Sequence, residues 1–369
     1  MLVSKICLTG GPCGGKTKAL SKLEQELSDM GYKVFIINEI ATRIINSGIK
    51  PFGEDAIKMI DFEDILLNLQ LAEEMAYEKA CNLIDKKCVI LCDRGVFDVK
   101  SFISSEEFDM LLNKYNLSKL ELIDSYNEVI HMNTCAKGAE EFYTTENNKA
   151  RSEGIKEAVI RDDRCQEAWS FHPNFKIVDN STNFDDKVNK VINIMKESLG
   201  IKTKEEKKYL IELKKDAYDK LKEKECVTVY ITQVYLKTEN DYEMRLRKRV
   251  LDGDETYYVS VKKSYGNKEK IVTEEKIDKK SYERLISQRE VTNIIEKKRT
   301  CFTQNNHVYK IDEYDNGLFV LETDINASIP EFISVIEDVT LDEIFKNKNL
   351  STSNIRKSLY KRKKCFNKM

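Results

Sequence analysis

The sequence predicts an α/β domain with a mainly parallel sheet, followed by an α+β domain whose antiparallel strands form a barrel or tunnel. Three observations lead to this prediction. The chain has 369 residues, which is more than one hydrophobic core usually supports. Apolar strand-like segments alternate with helical stretches as far as about Gly200, a pattern typical of a parallel sheet. After Cys226, apolar and polar residues alternate along each segment, which favours antiparallel strands.

The predicted domain boundaries follow these changes of pattern. The first domain covers residues 1–200 and the second covers residues 226–345. Residues 201–225 are rich in Lys and Glu with one apolar stripe, which predicts a connecting helix. Residues 346–369 form a basic tail. Contact with acidic lipid is one interpretation of this tail, and a solvated terminus is the more common alternative.

Composition and charge narrow the class of protein. Apolar residues make up 41% and charged residues 34% of the chain, which argues against a disordered or fibrous protein. The 61 Lys and Arg nearly balance the 63 Asp and Glu, so no nucleic-acid partner is expected. The ten cysteines include no CxxC pair, and no segment resembles a signal peptide or membrane span. We therefore expect a cytoplasmic protein, with peripheral contact at membranes as a further option.

A glycine-rich loop lies between the first predicted strand, Ile6 to Leu8, and helix-forming residues from Lys18 to Leu27. The loop matches the GxxxxGK[ST] pattern, whose glycines allow backbone N–H groups to face phosphate oxygens. Its residues are Gly10, Gly11, Pro12, Cys13, Gly14, Gly15, Lys16 and Thr17. The sequence therefore predicts a site for a nucleoside triphosphate, either GTP or ATP, together with Mg²⁺.

Lys16 and Thr17 have separate expected tasks in this loop. Lys16 is expected to contact the β- and γ-phosphates, and the Thr17 hydroxyl is expected to bind Mg²⁺. Cys13 is interpreted as a small neutral residue rather than a redox-sensitive thiol. A glycine turn with an incidental lysine is disfavoured, because strand and helix signals flank the loop on the correct sides.

Two later strands end in carboxylates. The strand Lys33 to Ile37 precedes Glu39, and the strand Cys88 to Cys92 precedes Asp93. In parallel sheets, ligands bind where the carboxyl ends of strands meet. Asp93 is therefore the candidate carboxylate for Mg²⁺. Glu39 is interpreted either as a general base towards an acceptor hydroxyl or as an ion-pair partner of Arg43.

Three arginines follow the predicted fourth strand. Arg151, Arg161 and Arg164 lie where lids commonly close over phosphates, and a guanidinium pairs well with phosphoryl oxygens. Arg151 is the catalytic candidate, and Arg161 and Arg164 are expected to bind the nucleotide. Ion pairing with acidic neighbours on a helix surface is the alternative.

Several segments of the first domain resemble the TRPL translocation defect protein 14 family. They are Gly138-Ala139-Glu140-Glu141-Phe142-Tyr143, Asn147-Asn148, Arg151, Ala168-Trp169, His172-Pro173 and Asp179-Asn180. The resemblance implies an AAA-type P-loop domain, similar to the kinase domain of ribosylnicotinamide kinases, fused to a CYTH-like domain. It also implies binding of GTP or ATP and recognition of phosphoinositide head groups.

Alternating cations mark the second domain. Side chains at every second position of a strand leave the same face, so Arg245, Arg247 and Arg249 make one face cationic. The expected anion-binding residues are Arg245, Arg247, Arg249, Lys262, Lys297 and Arg299, with Glu322 and Asp324 as candidate metal ligands. An exposed sheet face with alternating charges is the alternative.

The second domain resembles CYTH domains in four segments: Gln233-Val234-Tyr235-Leu236, Arg245-Leu246-Arg247-Lys248-Arg249, Lys297-Lys298-Arg299 and Leu321-Glu322-Thr323-Asp324. Catalytic members carry an ExExK strand with metal-binding glutamates. We expect no counterpart before Gln233, because Cys226 to Thr232 carries no carboxylate. The resemblance therefore implies binding of a phosphoinositide or other polyphosphate rather than hydrolysis.

Three functions follow from these patterns. The first is an adaptor regulated by nucleotide, with slow or absent turnover of GTP or ATP. The second is a small-molecule, nucleoside-like kinase that uses Glu39 or Asp93. The third is a CYTH-type triphosphatase, which the missing acidic strand disfavours.

Overall fold

The computed structural model describes residues 3–143, 154–201, 206–238, 242–265, 268–315, 317–340, 342, 345 and 350. Arg151 and the predicted basic tail, residues 346–369 apart from residue 350, lie outside these ranges. The chain divides into two units, Met1–Lys202 and Thr203–Met369.

A parallel sheet forms the centre of the first unit. Its strands are β1 (Val3–Thr9), β2 (Lys33–Ile37), β3 (Cys88–Asp93), β4 (Glu128–Met132) and β5 (Phe175–Val178). The helices are α1 (Lys16–Asp29), α2 (Ile40–Asn46), α3 (Met59–Asn82), α4 (Ser105–Lys114), α5 (Lys119–Ile123), α6 (Ile155–Trp169) and α7 (Phe184–Ser198). The order of the five strands is β2-β3-β1-β4-β5, and every pair is parallel. The predicted α/β domain is confirmed.

The helices on this sheet explain its apolar strands. Leu23 and Leu27 of α1 pack with Val188 and Val191 of α7 against strand residues such as Ile130. Residues of β3 and β4 are buried throughout, as expected for central parallel strands. Because the strands are parallel, the residues that follow β1, β2 and β3 lie at one edge of the sheet.

The second unit contains one antiparallel sheet. Its strands are β6 (Lys207–Leu213), β7 (Val227–Leu236), β8 (Tyr242–Leu251), β9 (Asp254–Tyr265), β10 (Lys268–Ile277), β11 (Val291–Gln304), β12 (His307–Tyr314), β13 (Phe319–Thr323) and β14 (Ile333–Asp338). The helices are α8 (Ala217–Lys222) and α9 (Lys279–Gln288). The order of the nine strands is β10-β9-β8-β7-β11-β12-β13-β6-β14. The predicted antiparallel sheet is confirmed, whereas within the described ranges no pairing of β10 with β14 closes it into a barrel.

The predicted connecting helix over residues 201–225 is wrong. This segment contains β6, which pairs with β13 and β14, and then the short helix α8. Leu210 and Ile211 are both buried, although they point to opposite faces. Strand pairing and this two-sided burial outweigh the helical propensity of the many Lys and Glu. The sheet of the second unit therefore begins with β6, one strand before the segment Cys226 to Thr232 that lacks carboxylates.

Candidate phosphate site and adjoining cavity

The glycine loop between β1 and α1 requires glycine for steric reasons. Gly10 has a φ of 133° and Gly15 a φ of 88°, both in the left-handed region that favours glycine. A Cβ on Gly10 would lie 2.1 Å from the carbonyl oxygen of Met132, and a Cβ on Gly14 would lie 2.7 Å from the same atom. The loop backbone therefore rests directly on the end of β4.

Asp162 of α6 holds the loop in place. Its Oδ1 accepts hydrogen bonds from the backbone N–H groups of Gly11, at 2.8 Å, and Thr134, at 3.0 Å. The His131 ring lies 3.0 Å from the same oxygen, and the Lys137 ammonium lies 2.8 Å from Oδ2. Burial alone would raise the pKa of Asp162, but His131 and Lys137 hold it well below its usual value. The carboxylate is thus a fixed, ionised anchor for the loop.

Lys16 lies across the loop that precedes it. Its Nζ donates hydrogen bonds to the carbonyl oxygens of Gly10, at 3.0 Å, and Gly11, at 2.9 Å. Burial and the nearby Arg94 guanidinium lower the pKa of Lys16. Thr17 is exposed in the first turn of α1, and no side chain caps this helix at Gly15. The structure brings together the Lys16 ammonium group, the exposed Thr17 hydroxyl and the N-terminus of α1, which suits an anion.

Asp93 ends β3 beside this loop. It is buried, and its Oδ1 has no hydrogen-bond partner among the described residues. Burial raises the pKa of Asp93 to about 6, although the Lys16 ammonium opposes this shift. A buried carboxylate oxygen without a partner is costly unless a ligand or ion satisfies it. Asp93 therefore fits the predicted contact with Mg²⁺.

The described residues contain no group of three or more His, Cys, Asp or Glu side chains that could hold a metal alone. Mg²⁺ does not need such a cage, because it is usually bound by one or two protein groups together with substrate phosphates and water. Thr17 and Asp93 match this small protein contribution.

Glu39 pairs with Arg94 at the edge of the sheet. Glu39 Oε1 accepts a hydrogen bond from Arg94 Nε at 2.6 Å, and Oε2 accepts one from the Thr42 hydroxyl at 2.5 Å. Arg43 instead forms an ion pair with Glu73. The predicted alternative of a Glu39–Arg43 pair is therefore wrong, because Arg94, after β3, is the guanidinium that reaches Glu39. Burial would raise the pKa of Glu39, but Arg94 and then Lys16 lower it to about 2.

Asp98 was not predicted from the sequence, yet it organises the turn after β3. It is buried and accepts hydrogen bonds from the Gly95 N–H at 2.7 Å and the Cys165 thiol at 2.9 Å. The Thr9 hydroxyl, at the end of β1, also donates to it. Asp98 thereby joins the ends of β1 and β3 to α6.

A cavity of about 290 Å³ adjoins the loop and shares Gly10, Gly11 and Pro12 with it. Its apolar walls include Ile40, Ile45, Phe52, Phe62, Leu66 and Phe102. Its charged lining consists of Glu39, Glu63, Asp98, Glu157, Arg94 and Arg161. An apolar space with a few polar groups is typical of a site for a small organic ligand.

The two predicted nucleotide-binding arginines of α6 are in different settings. Arg161 lines the cavity, and its guanidinium lies over the Phe102 ring, 4.2 Å from the ring centre. Arg164 donates to the carbonyl oxygen of Ile103. The structure therefore brings Arg161, but not Arg164, into the lining of the cavity.

The second unit places most of its predicted cations on one face of the sheet. The register aligns Arg249 with Ile231, and Ile231 in turn with Lys297, so these side chains point to the same side. Arg249 and Lys297 are buried. The predicted set Arg245, Arg247, Arg249, Lys297 and Arg299 thus shares one face, and Lys262 opposes Glu243 there at 3.8 Å.

Carboxylates already neutralise part of this face. Asp312 lies 2.6 Å from both Lys297 and Arg299. Glu322 contacts Arg299 at 2.6 Å through Oε2 and Lys208 at 3.0 Å through Oε1. Burial would raise the pKa of Glu322, but these cations hold it well below its usual value. Because both its oxygens are bound to cations, Glu322 is poorly suited to its predicted metal role.

Two further carboxylates of the second unit, Glu274 and the predicted metal ligand Asp324, also have local partners. Glu274 pairs with Arg247 and lies 3.9 Å from Arg245. Asp324, the second candidate metal ligand, lies 3.7 Å from His307. The face is therefore rich in cations, but several of these cations already pair with carboxylates of the same unit.

Comparison with known proteins finds a domain model that matches most of the first unit. A family model described as an AAA domain, AAA_28, matches residues 5–187. No curated protein matches the chain. Within the part of the chain that the structure describes, no helix has both the length and the apolar character needed to cross a bilayer.

Several solved structures are similar to parts of the chain. The PH1819 protein from Pyrococcus horikoshii OT3 is 14% identical, with 43% of this chain and 88% of that chain covered and a TM-score of 0.27. The conserved hypothetical protein Pfu-838710-001 from Pyrococcus furiosus is 21% identical, with coverage of 33% and 79% and a TM-score of 0.25. The PH1012 protein from Pyrococcus horikoshii OT3 is 16% identical, with coverage of 42% and 87% and a TM-score of 0.25. TM-scores this low do not establish a shared fold.

The family match and the observed geometry agree for the first unit. A parallel sheet, a glycine loop after its first strand and a lysine at the start of the next helix all lie within the matched region. Residues 5–187 form an AAA-type P-loop domain.

Proposed function

We propose that the first unit binds ATP or GTP with Mg²⁺ and transfers the terminal phosphoryl group to a hydroxyl of a small organic acceptor. The main support for this proposal is the cavity, which shares Gly10, Gly11 and Pro12 with the phosphate loop. A P-loop domain supports nucleotide binding. A protein that only binds or hydrolyses the nucleotide does not need an adjoining apolar space for a second ligand.

The loop residues account for nucleotide binding. Lys16, held above the loop, neutralises the terminal phosphates, and the N–H groups at the start of α1 face their oxygens. Thr17 and Asp93 hold Mg²⁺. When it is bound, this ion offsets negative charge on the phosphate oxygens.

Glu39 is the residue that acts on the acceptor. It lines the cavity and is fixed by Arg94 and Thr42. With a pKa of about 2 it is a weak base, so its main task is to orient the acceptor hydroxyl. The hydroxyl oxygen bonds to the terminal phosphorus, and the bond to the bridging oxygen breaks so that the nucleoside diphosphate leaves. The hydroxyl proton passes to Glu39 and from there to water. A loose transition state needs little help from a strong base.

Four arginines of this unit have different roles in this proposal. Arg94 keeps Glu39 ionised and in place. Arg161, in the cavity lining, is positioned to meet the acceptor or the transferred phosphoryl group. The catalytic role of Arg151 and the nucleotide contact of Arg164 stay predictions from the sequence.

The proposal is tested with purified full-length protein and a panel of ATP, GTP, CTP and UTP, each with and without Mg²⁺. Calorimetry measures affinity, and release of the nucleoside diphosphate measures turnover. Pools of hydroxyl compounds, including nucleosides, sugars and amino alcohols, are then added. We expect Mg²⁺-dependent binding of at least one nucleotide and turnover that an acceptor accelerates. Tight binding without acceptor-dependent turnover would contradict the kinase.

A nucleotide-regulated adaptor is the second candidate, because a specific observation favours it. Arg245, Arg247 and Arg249 share one sheet face with Lys297 and Arg299. In this hypothesis the second unit is CYTH-like and binds a phosphoinositide head group or other polyphosphate. The protein is then cytoplasmic, with peripheral contact at membranes. Binding to phosphoinositide vesicles that depends on the bound nucleotide would support it.

A triphosphatase in the second unit has the least support. It requires carboxylates for metal ions, and both oxygens of Glu322 are bound to Arg299 and Lys208. The test is release of phosphate from inorganic triphosphate by the full chain with Mg²⁺ or Mn²⁺. We expect a Lys16→Ala variant, which removes any contribution from the P-loop, to release no phosphate above the rate measured without protein.

A further inference from the structure

Glu63 is a buried carboxyl group in the lining of the cavity. The proposed phosphoryl transfer gives this residue no role. It lies on α3, lines the cavity and is only 1% exposed. Its Oε2 has no hydrogen-bond partner among the described residues. By contrast, Glu39 is bonded to Arg94, and Asp98 is bonded to the Gly95 N–H. A buried polar atom without a partner calls for a specific explanation, and an absent ligand is one.

The charges around the cavity favour a particular kind of ligand. The carboxyl groups in the lining belong to Glu39, Glu63, Asp98 and Glu157, whereas the guanidinium groups belong to Arg94 and Arg161. Arg94 lies 2.6 Å from Glu39 and 3.7 Å from Asp98. Arg161 lies 3.6 Å from Glu157. Acidic groups therefore exceed basic ones, which disfavours an anionic acceptor.

The protonation state of Glu63 also favours a cationic ligand. Burial raises the pKa of Glu63 to about 8, and Asp98 adds to the rise while Arg161 and Arg94 oppose it. Near neutral pH the group is thus largely protonated. An ionised carboxylate in such a place is costly, but a cation bound beside it offsets that cost.

We propose that Glu63 is the recognition site for a positively charged nitrogen, so that the acceptor is an organic cation with an apolar, ring-sized body. The apolar walls contact the ring, and the cation displaces the proton of Glu63 and pairs with the carboxylate. That this cation is also the phosphoryl acceptor rests on the proposed phosphoryl transfer. The cation site itself rests only on the cavity and its charges.

Three probes of the same size test this inference: benzylamine, benzyl alcohol and benzoate, which are a cation, a neutral molecule and an anion. Their dissociation constants are measured by NMR titration of the full chain at pH 6, 7 and 8. The variants are Glu63→Gln and, as a matched control, Asp61→Asn, which removes an exposed carboxylate two positions earlier on the same helix. Calorimetry in buffers of different ionisation enthalpy measures the protons released on binding.

We expect benzylamine to bind at least about tenfold more tightly than benzoate, because its ammonium group pairs with the Glu63 carboxylate. A tenfold difference corresponds to about 1.4 kcal/mol of binding free energy. Benzylamine binding should release a proton at pH 7 and strengthen by up to roughly tenfold per pH unit below the pKa of Glu63. Benzyl alcohol should show neither effect. Glu63→Gln should abolish both the amine preference and the proton release, while Asp61→Asn should keep them. Equal affinity for the three probes, or an amine preference that survives in Glu63→Gln, overturns the inference.

These outcomes are separable from those of the proposed function. The probes need no nucleotide and no turnover. A Glu63-dependent preference for benzylamine, together with no acceptor-dependent turnover in any pool, keeps the cation site and removes the kinase. Acceptor-dependent turnover with a neutral or anionic compound, unchanged in Glu63→Gln, keeps the kinase and overturns the inference that the acceptor is a cation.

Discussion

The backbone N–H of Gly11 donates a hydrogen bond to Oδ1 of Asp162, which is 151 positions later in the chain, at 2.8 Å. The same oxygen accepts the N–H of Thr134 and lies beside His131. The phosphate loop is therefore shaped by α6 and by the segment after β4, as well as by its own glycines. A mutation far from the loop in sequence should change nucleotide binding through this carboxylate.

Asp162→Asn tests this anchor. The amide keeps the shape of the side chain but removes the charge that faces His131 and Lys137. We expect a loss of about 2 to 4 kcal/mol in the free energy of unfolding, as for one broken partner in a buried network. Nucleotide affinity should fall by roughly tenfold because the loop is distorted. This corresponds to a loss of about 1.4 kcal/mol of binding free energy. Denaturant titration and calorimetry measure the two effects.

The control for Asp162 is Asp163→Asn, because the Asp163 side chain is 55% exposed and also contacts Lys137. It should change either quantity by less than about 0.5 kcal/mol. The low pKa of Asp162 means that its stabilisation is present above the usual Asp pKa and is lost as the pH falls. Wild type should therefore lose stability on acidification more steeply than Asp162→Asn, and parallel pH profiles would argue against an ionised anchor.

Glu39→Gln tests the orientation of the acceptor. The amide loses the charge that pairs with Arg94 and therefore the fixed oxygen that orients the acceptor hydroxyl, so we expect the turnover number to fall by about 100-fold or more. The dissociation constant of the nucleotide should change little. Because the pKa of Glu39 is about 2, Glu39 itself should cause no loss of rate between pH 8 and pH 4. The matched control is Glu73→Gln, at the partner of Arg43; an equal loss of rate in both variants would count against the role of Glu39.

Glu63→Gln should stabilise the protein at neutral and alkaline pH. The folded-state pKa of Glu63 is raised to about 8, so its favourable state is protonated. Its contribution is fully present below the unfolded-state pKa, about 4.3, and is lost as the pH rises towards 8. We expect Glu63→Gln to flatten this decline and to gain about 1 to 3 kcal/mol at pH 8. Thermal unfolding between pH 5 and pH 8 measures it, and a steeper decline in the variant would contradict the buried, protonated state.

Replacing Arg245 and Arg247 with Gln tests the second unit. We expect binding to phosphoinositide vesicles at moderate salt to fall several-fold, because each cation that meets a phosphate adds to affinity and to its salt dependence. Nucleotide binding should be unchanged. Lys237→Gln is the control, since Lys237 forms an exposed ion pair with Glu290. Vesicle binding that survives the double replacement removes the lipid hypothesis.

Local patterns predicted much of the fold. The strand before Gly10 and the helix that begins at Lys16 follow from the apolar run, the glycine loop and the helix formers around them. The alternation in the second unit likewise predicted strands such as β7 and β8. These features depend on residues close in sequence, so that period and turn chemistry are sufficient to locate them.

Features that depend on distant contacts were missed. Lys207–Leu213 was predicted as part of a helix because its Lys and Glu hide a strand that only pairing with β13 and β14 stabilises. Arg94 was not identified as the partner of Glu39, since the two lie on different strand ends. Glu63 gave no signal at all, because an acidic residue in an amphipathic helix is ordinarily exposed.

Both the proposed phosphoryl transfer and the nucleotide-regulated adaptor require Lys16 and its loop to bind the phosphates of a nucleoside triphosphate. The most direct measurement is calorimetric titration of Mg²⁺ with ATP and with GTP into wild type, Lys16→Ala and the control Lys22→Ala, whose lysine is exposed on the same helix. We expect wild type and Lys22→Ala to bind one of the nucleotides alike, and Lys16→Ala to bind it at least about 100-fold more weakly, a loss of about 2.7 kcal/mol. Equal affinity in wild type and Lys16→Ala would show that Lys16 does not bind the phosphates.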